Sequence, residues 1–595
     1  MYPPGGGHVK LMPQSKPCIP AMRLRPHFRH AAFLLCLLAL PALAATNTPS
    51  PVRAKHAMVV TAQHLATRVG VSILKQGGNA VDAAVAVGYA LAVVHPCCGN
   101  LGGGGFMTLH LADGRNLFLN FRERAPLAAT ADMYLKPDGA VNHHESLYTY
   151  KAVGVPGTVM GLDTALKRYG TMKLARVMAP AIHLAEKGYV LEPGDAHQFA
   201  AAGKKLETNP AARKKFLIDG HLPRAGNRLK QPELAHTLQL IAKQGTKAFY
   251  DGPIARDIVK ASQANGGLLS MKDFSRYRVE WLPPIKCHYR GYTIISAPPP
   301  SSGGITLCEM LNVLSGWPRF PHYAFHSVAA VHYLVETMRF AYADRNTDLG
   351  DPDFVANPVK RLLSDKHAKW VRKQIPKWRA VPSSQVKGGR VKASKEGMHT
   401  TQYSIVDSQG NAVSVTYTLN SWFGTGLVAP GTGFLLNNEM NDFTAKPGVP
   451  NQYGLVQGKA NAIAGGKRPL SSMTPTIVLD KKGNVFMVTG TPGGSTIINT
   501  TMETILNVID RGMNVKQAVD APRIHQQWLP DTVYIEPHAL KPEVKRKLEK
   551  LGYTFRTGFG PETHWGAAEA IVVLPDGILT GANDRRRPAG LAEGY

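Results

Sequence analysis

Well past its midpoint the chain changes pattern abruptly. Between Ala380 and Gly397, Pro, Ser, Gly and Lys dominate and apolar periodicity disappears, which predicts a flexible, surface-exposed segment. From Thr400 the pattern is β. Thr400 to Val406 and Ala412 to Leu419 are β-branched alternations, and Ser408-Gln409-Gly410-Asn411 between them predicts a hairpin turn. A new structural unit therefore begins at Thr400. What precedes it reads differently: Gln63 to Gln76 has helical spacing, and Val81 to Val94 is an Ala/Val-rich core run introduced by Gly77-Gly78-Asn79. Residues from Gly157 to Arg345 read mainly as helices, interrupted by the rigid loop Pro298 to Gly304. The glycines of Gly99 to Phe106 invite comparison with phosphate-binding loops, but the stretch lacks a Gly-Lys-Ser/Thr ending and does not fit GxGxxG. A tight turn into a strand over Phe106 to Leu111 is the better prediction.

Of the 595 residues, 44% are hydrophobic and 18% charged, enough apolar material for a large core or two fused ones. The apolar run Ala31 to Ala44 follows Arg23, Arg25 and Arg29 and ends in Ala42-Leu43-Ala44, the order of a secretory signal peptide. It falls short of the ~20 residues a bilayer-spanning helix needs. The expectation is a leader over residues 1–44, with Met22 as the start, and a mature protein from Ala45 that is exported to the periplasm or secreted, without a stable membrane span. The formal charge is +28, and the chain stays strongly basic without the leader. Lys and Arg are scattered, with only short clusters such as Arg213-Lys214-Lys215 and Arg585 to Arg587. A solvated basic surface is expected, not a nucleic-acid face.

Beyond the leader, four cysteines remain. Cys97 and Cys98 are adjacent, and trans-linked Cα atoms ~3.8 Å apart lie below the usual disulfide range, so two free thiols in a turn are expected. Cys287 and Cys308 can pair in an oxidising compartment, but without structural support for the bond the expectation leaves them unpaired. No CxxC pair and no zinc-type histidine spacing occurs, and no metal is predicted.

The junction His399-Thr400-Thr401-Gln402-Tyr403-Ser404 resembles the processing site of γ-glutamyltranspeptidases, in the N-terminal-nucleophile hydrolase superfamily. Further matching stretches follow in order: Gly77 to Ala84, Asn120-Phe121-Arg122-Glu123, Gly154 to Thr158, Leu349 to Phe354, Leu435 to Phe443, Pro469 to Pro475 and Gly490 to Ser495. The resemblance runs from about Ala54 to the C-terminus. It implies an α+β fold, a four-layer αββα sandwich built jointly by a large subunit, residues 45–399, and a small catalytic one, residues 400–595. The cut pieces would stay associated as a heterodimer. A threonine hydroxyl is a poor nucleophile without a neighbouring base, and a chain-terminal threonine brings its own, since the freed α-amine has an ordinary pKa near ~8.

The same resemblance assigns roles. Thr400 is the nucleophile and Thr418 its support, while the backbone N–H groups of Gly493 and Gly494 take the oxyanion. Arg122, Ser471 and Ser472 would hold the substrate α-carboxylate, a task that suits the planar arginine fork. Asn420, Glu439 and Asp442 would receive the α-ammonium, Glu439 standing where some members carry glutamine. Ala445 to Tyr453 resembles the lid of bacterial members, with Tyr453 as its gate. Taken singly these are ordinary: a Thr-Thr pair suits a strand, Arg122 a surface ion pair, Asp442 a turn, Gly493-Gly494 a bend and the lid an inert loop. The activity implied is attack on a γ-glutamyl amide such as glutathione, with transfer to water or to an amino acid or peptide acceptor and no cofactor. A cephalosporin (glutaryl) acylase of the same family is the nearest rival, and a non-catalytic basic binding protein is the rival from another class.

Overall fold

The computed structural model describes residues 50–386, 400–560 and 562–595. The expected leader, residues 387–397 of the polar segment and His399 lie outside the described residues. Two seven-stranded sheets organise the rest. Along the first, the strands run Leu591–Gly594, Met58–Thr61, Thr401–Val406, Ala412–Thr418, Gly104–His110, Asn116–Phe121 and Glu280–Leu282. Along the second they run Val52–Ala54, Leu579–Ala582, Ala570–Val573, Val485–Thr489, Thr476–Leu479, Tyr292–Ser296 and Ile285–Tyr289. Neighbouring strands in both sheets are antiparallel.

The side-chain alternation of the first β hairpin after Thr400 explains the layering, because successive residues of a strand face opposite sides of the sheet. Tyr403, Ile405, Val413 and Val415 pack under the helices His64–Lys75 and Ala80–Val94. On the opposite face Val406 and Ala412, with Met58 and Val60, meet Ile295, Ile477, Val488 and Ile571 of the second sheet. Gln402 and Ser404 share that face and are satisfied by hydrogen bonds, from Gln402 to Ser414 Oγ (2.9 Å) and from Ser404 Oγ to the Glu569 carbonyl (2.7 Å). Beyond the second sheet, Leu307, Leu311, Met502 and Ile505 of the helices Gly303–Ser315 and Ile497–Ile509 cover Ile294, Val478 and Met487. The order is helix, sheet, sheet, helix, as the resemblance implies. The helix Ala80–Val94 is buried along its whole length and opens with an Asn79/Asp82 capping box, which satisfies N–H groups that no water can reach. Among the described residues no helix is long and apolar enough to cross a membrane.

The structure departs from the sequence reading in four places. The helical stretch to Arg345 contains the strands Ile285–Tyr289, at the edge of the second sheet, and Tyr292–Ser296, whose pairing with Thr476–Leu479 is a long-range partnership that local pattern cannot show. Cys287 on one of those strands is disulfide-bonded to Cys308 on the helix packed over it, with Cα atoms 5.8 Å apart. The polar segment is docked where it starts: Ala380, Val381 and Ser383 are buried, and Ser383 receives the Asp531 carboxylate on its N–H at 2.8 Å. In the Arg585 to Arg587 cluster, the Arg586 side chain is enclosed by Glu536 and Asp584 and is not a solvated cation.

Candidate active site

Antiparallel register places Thr401 opposite Tyr417, which brings Thr400 level with Thr418 at the mouth of the hairpin. The Thr400 hydroxyl donates to Thr418 Oγ1 at 3.3 Å, and Thr418 Oγ1 also accepts the Asn420 N–H at 2.8 Å. Every residue predicted for the site except Gly493 lines one narrow cleft there. A larger depression of about 730 Å³ lies around Tyr148, Asp257 and Lys260. It carries none of the buried charge described next, and the smaller cleft is the chemical candidate.

Arg122 leaves the strand Asn116–Phe121 wholly buried. Its Nε donates to the Pro469 carbonyl at 3.2 Å, one terminal nitrogen to Glu439 Oε1, and the other to Asp442 Oδ2 at 2.5 Å. Glu123 stands 3.6 Å from the same guanidinium. Burial pushes all three carboxyl groups upward against the pull of Arg122, Glu123 to about 7, while their combined charge holds Arg122 firmly protonated. Among the described residues, Glu439 Oε2 and Asp442 Oδ1 find no hydrogen-bond partner. Buried carboxylate oxygens left open in this way are costly unless a cation arrives to meet them. On the far side, Ser472 Oγ accepts from Arg345 at 2.8 Å, and Ser471 sits beside it.

Asn420 adopts a left-handed backbone, φ 74°, and is held by its Nδ2 donating to the Asn438 carbonyl at 3.0 Å. The Tyr453 hydroxyl bonds to Asn420 Oδ1 and, at 3.1 Å, to its carbonyl, which draws the predicted lid tyrosine down onto the cleft. Under the tyrosine ring lies Gly494. A Cβ there would stand 2.4 Å from the ring, and φ of 56° is itself glycine territory. Gly493 and Gly494 form the turn into Gly494–Thr496 and the helix Ile497–Ile509, whose N-terminal end offers positive potential to the cleft.

A family model for gamma-glutamyltranspeptidase matches residues 66–594, and its span contains the whole cleft. The chain belongs to the gamma-glutamyltranspeptidase family. It is 53% identical to a glutathione hydrolase proenzyme of Pseudomonas sp. (strain A14), over 92% of this chain and 95% of that protein. With the glutathione hydrolase proenzyme of Escherichia coli (strain K12) the identity is 47%, over 92% and 93% of the two chains. A solved structure of the cephalosporin acylase from Bacillus halodurans superposes with a TM-score of 0.80 at 28% identity, covering 94% of this chain and 99% of its own.

For a gamma-glutamyltranspeptidase, two groups in or just behind the cleft were not singled out from sequence. Arg345 is wholly buried near the end of the helix Val328–Asp348 and donates through Nε to Ser302 Oγ at 3.0 Å as well as to Ser472. Burial pushes it down to about 10. An arginine in the last turn of a helix reads as an ordinary dipole-favoured surface cation, and nothing local distinguishes this one. Glu123 lies within the matched Asn120 to Glu123 stretch, but only the fold shows that its carboxylate joins the Arg122 cluster.

Proposed function

We propose that this chain is an exported γ-glutamyltransferase and glutathione hydrolase that cuts itself before Thr400 and then uses Thr400 as its nucleophile. The observation that carries the reading is the Thr400–Thr418 hydroxyl pair in one cleft with a buried arginine and two carboxylates that each keep an open oxygen. In maturation, the Thr400 hydroxyl attacks the carbonyl of the preceding peptide bond. The resulting ester is hydrolysed, and the α-amine is freed. That amine then accepts the hydroxyl proton as Thr400 Oγ1 attacks the γ-glutamyl carbonyl. The tetrahedral oxyanion forms at the Gly493-Gly494 turn, the amine leaving group departs with a proton, and a γ-glutamyl ester remains for water or an acceptor amine to open.

Substrate recognition follows from charge. The γ-glutamyl α-carboxylate meets Arg122 with Ser471 and Ser472, the last of them oriented by Arg345. The α-ammonium meets the open oxygens of Glu439 and Asp442, with Asn420 alongside. Such a site rejects an acyl group lacking the ammonium, because its carboxylates would stay buried and unmatched. The likeness to an acylase structure makes that rejection the useful test. Initial rates on a γ-glutamyl anilide and on the glutaryl anilide that differs only in lacking the α-amine should give kcat/KM values at least ~10²-fold apart in favour of the former. Equal rates, or a glutaryl preference, would point to the acylase. A chain that stays uncut and inert on both would support a binding protein.

A further inference from the structure

Behind the hairpin that carries Thr418, the helix Ala80–Val94 ends in a turn of sequence His95-Pro96-Cys97-Cys98. The Cys98 and Gly99 N–H groups both bond back to the His95 carbonyl, at 3.1 and 2.9 Å, which folds the turn so that its imidazole and two thiols converge. One donor atom from each of the three lies within 4.8 Å of the others, and all three residues are buried. His95 Nε2 and Cys97 Sγ stand 3.5 Å apart. A tetrahedral zinc ion, at ~2.3 Å from sulfur and ~2.0 Å from nitrogen, holds such donors ~3.5 Å apart.

A second observation is independent of that geometry. His95 Nδ1, Asp195 Oδ1 and the Tyr189 hydroxyl are buried without hydrogen-bond partners among the described residues, and Asp195 lies within electrostatic reach of both His95 and Cys97. A ring nitrogen and a carboxylate oxygen, both unmatched, are the two kinds of atom that the outer shell of a histidine-ligated metal brings together. Near the turn, the Arg587 guanidinium is held over the Trp422 ring at 5.1 Å.

We infer that His95, Cys97 and Cys98 form a buried binding site for a thiophilic divalent cation, zinc(II), with Asp195 at its margin. Two thiols release their protons to solvent as they ligate, and two thiolates with a neutral imidazole cancel the ion's charge, which suits a site closed to water. The turn is tied to the catalytic framework. The Cys97 carbonyl accepts the Phe423 N–H at 2.8 Å, and the Cys98 carbonyl accepts Asn100, whose Oδ1 in turn takes the Gly103 N–H and the Thr158 hydroxyl. Because the site is sealed, the ion enters as the chain folds.

The full chain is produced with zinc supplied, passed through a chelator-containing gel filtration, and assayed for metal by elemental mass spectrometry. About one zinc per chain is expected, with Cys97 and Cys98 unreactive until the protein is denatured. Cobalt supplied instead should give a thiolate-to-cobalt charge-transfer band in the near ultraviolet, weakened in Cys98→Ser and absent from the Cys97→Ser/Cys98→Ser double variant. The wild-type readings decide the matter even where a variant fails to fold. Wild-type protein free of zinc and without the cobalt band, its two thiols titrating normally on denaturation, overturns the inference. A mass lighter by the two hydrogens of a Cys97–Cys98 disulfide overturns it as well.

Discussion

Arg122 carries the tightest commitment in the cleft, since one buried side chain pairs with Glu439 and Asp442 and faces Glu123. Lysine keeps the charge but offers a single point of contact where the fork makes two. Arg122→Lys is therefore expected to mature normally, because self-cleavage depends on the surroundings of Thr400, and to lose ~10²-fold or more in kcat/KM on a γ-glutamyl anilide. Unchanged kinetics would remove Arg122 from substrate capture. Arg345 acts one step further out, through Ser472 and Ser302, and touches neither reacting atom. Arg345→Lys should raise KM by about tenfold with a smaller effect on kcat. A fall in kcat alone would mean that it steadies the nucleophile instead. The contrast also shows what sequence carries. Arg122 was legible because it stands in a recognisable stretch, whereas Arg345 lies on a helix whose pattern gives no sign that its last turn ends inside a cleft.

At the scale of elements, the turn Gly493-Gly494 and the lid tyrosine are matched surfaces. Gly494→Ala places a methyl group against the Tyr453 ring and forces a residue with Cβ into φ near 56°. The lid is expected to lift, with activity falling at least ~10-fold and Tyr453 becoming open to chemical modification. Wild-type activity would show the contact to be incidental. A second element-level effect concerns His525, which joins the strand Ile524–His525 to the helix Ile497–Ile509. Its Nδ1 accepts from Asn499 Nδ2 at 2.7 Å and its Nε2 donates to Gln527 Oε1 at 2.9 Å, so the ring sits neutral, and burial holds it down to about 4. A folded-state value below the ordinary 6.5 means that the unfolded chain binds the proton more readily, so stability is lost as pH falls from 6.5 towards 4. His525 alone accounts for on the order of 3 kcal/mol of that loss. Thermal midpoints measured between pH 7 and 4 should decline, less steeply in His525→Gln. An identical slope in both proteins would deny His525 this part.

Elements with their partners nearby in sequence were the legible ones. The hairpin after Thr400 and the helices over Gln63 to Gln76 and Val81 to Val94 appear where their periodicity places them, because each needs only its own alternation and a neighbour a few residues away. The strands Ile285–Tyr289 and Tyr292–Ser296 were missed, since they are held in a sheet only where Tyr292–Ser296 pairs with residues nearly two hundred positions later. The Cys287–Cys308 disulfide was lost with them.

At the scale of the whole molecule, the expected cut site falls where it need not dismantle the fold. The strand Thr401–Val406 sits between Met58–Thr61, from before the junction, and Ala412–Thr418, from after it, and the second sheet interleaves the two parts in the same way. The two products of cleavage should consequently elute together from gel filtration under native conditions and separate only in denaturant. Native separation would contradict a jointly built sandwich. The central claim is that Thr400 performs both the cut and the catalysis, and its most direct test is Thr400→Ala, followed by denaturing electrophoresis and intact mass beside a γ-glutamyl anilide assay. The account predicts one uncut chain, folded and inactive, while Thr400→Ser, which keeps the hydroxyl but lacks the methyl group that restricts χ1, matures slowly and turns over weakly. Two subunits and wild-type turnover from Thr400→Ala would contradict it.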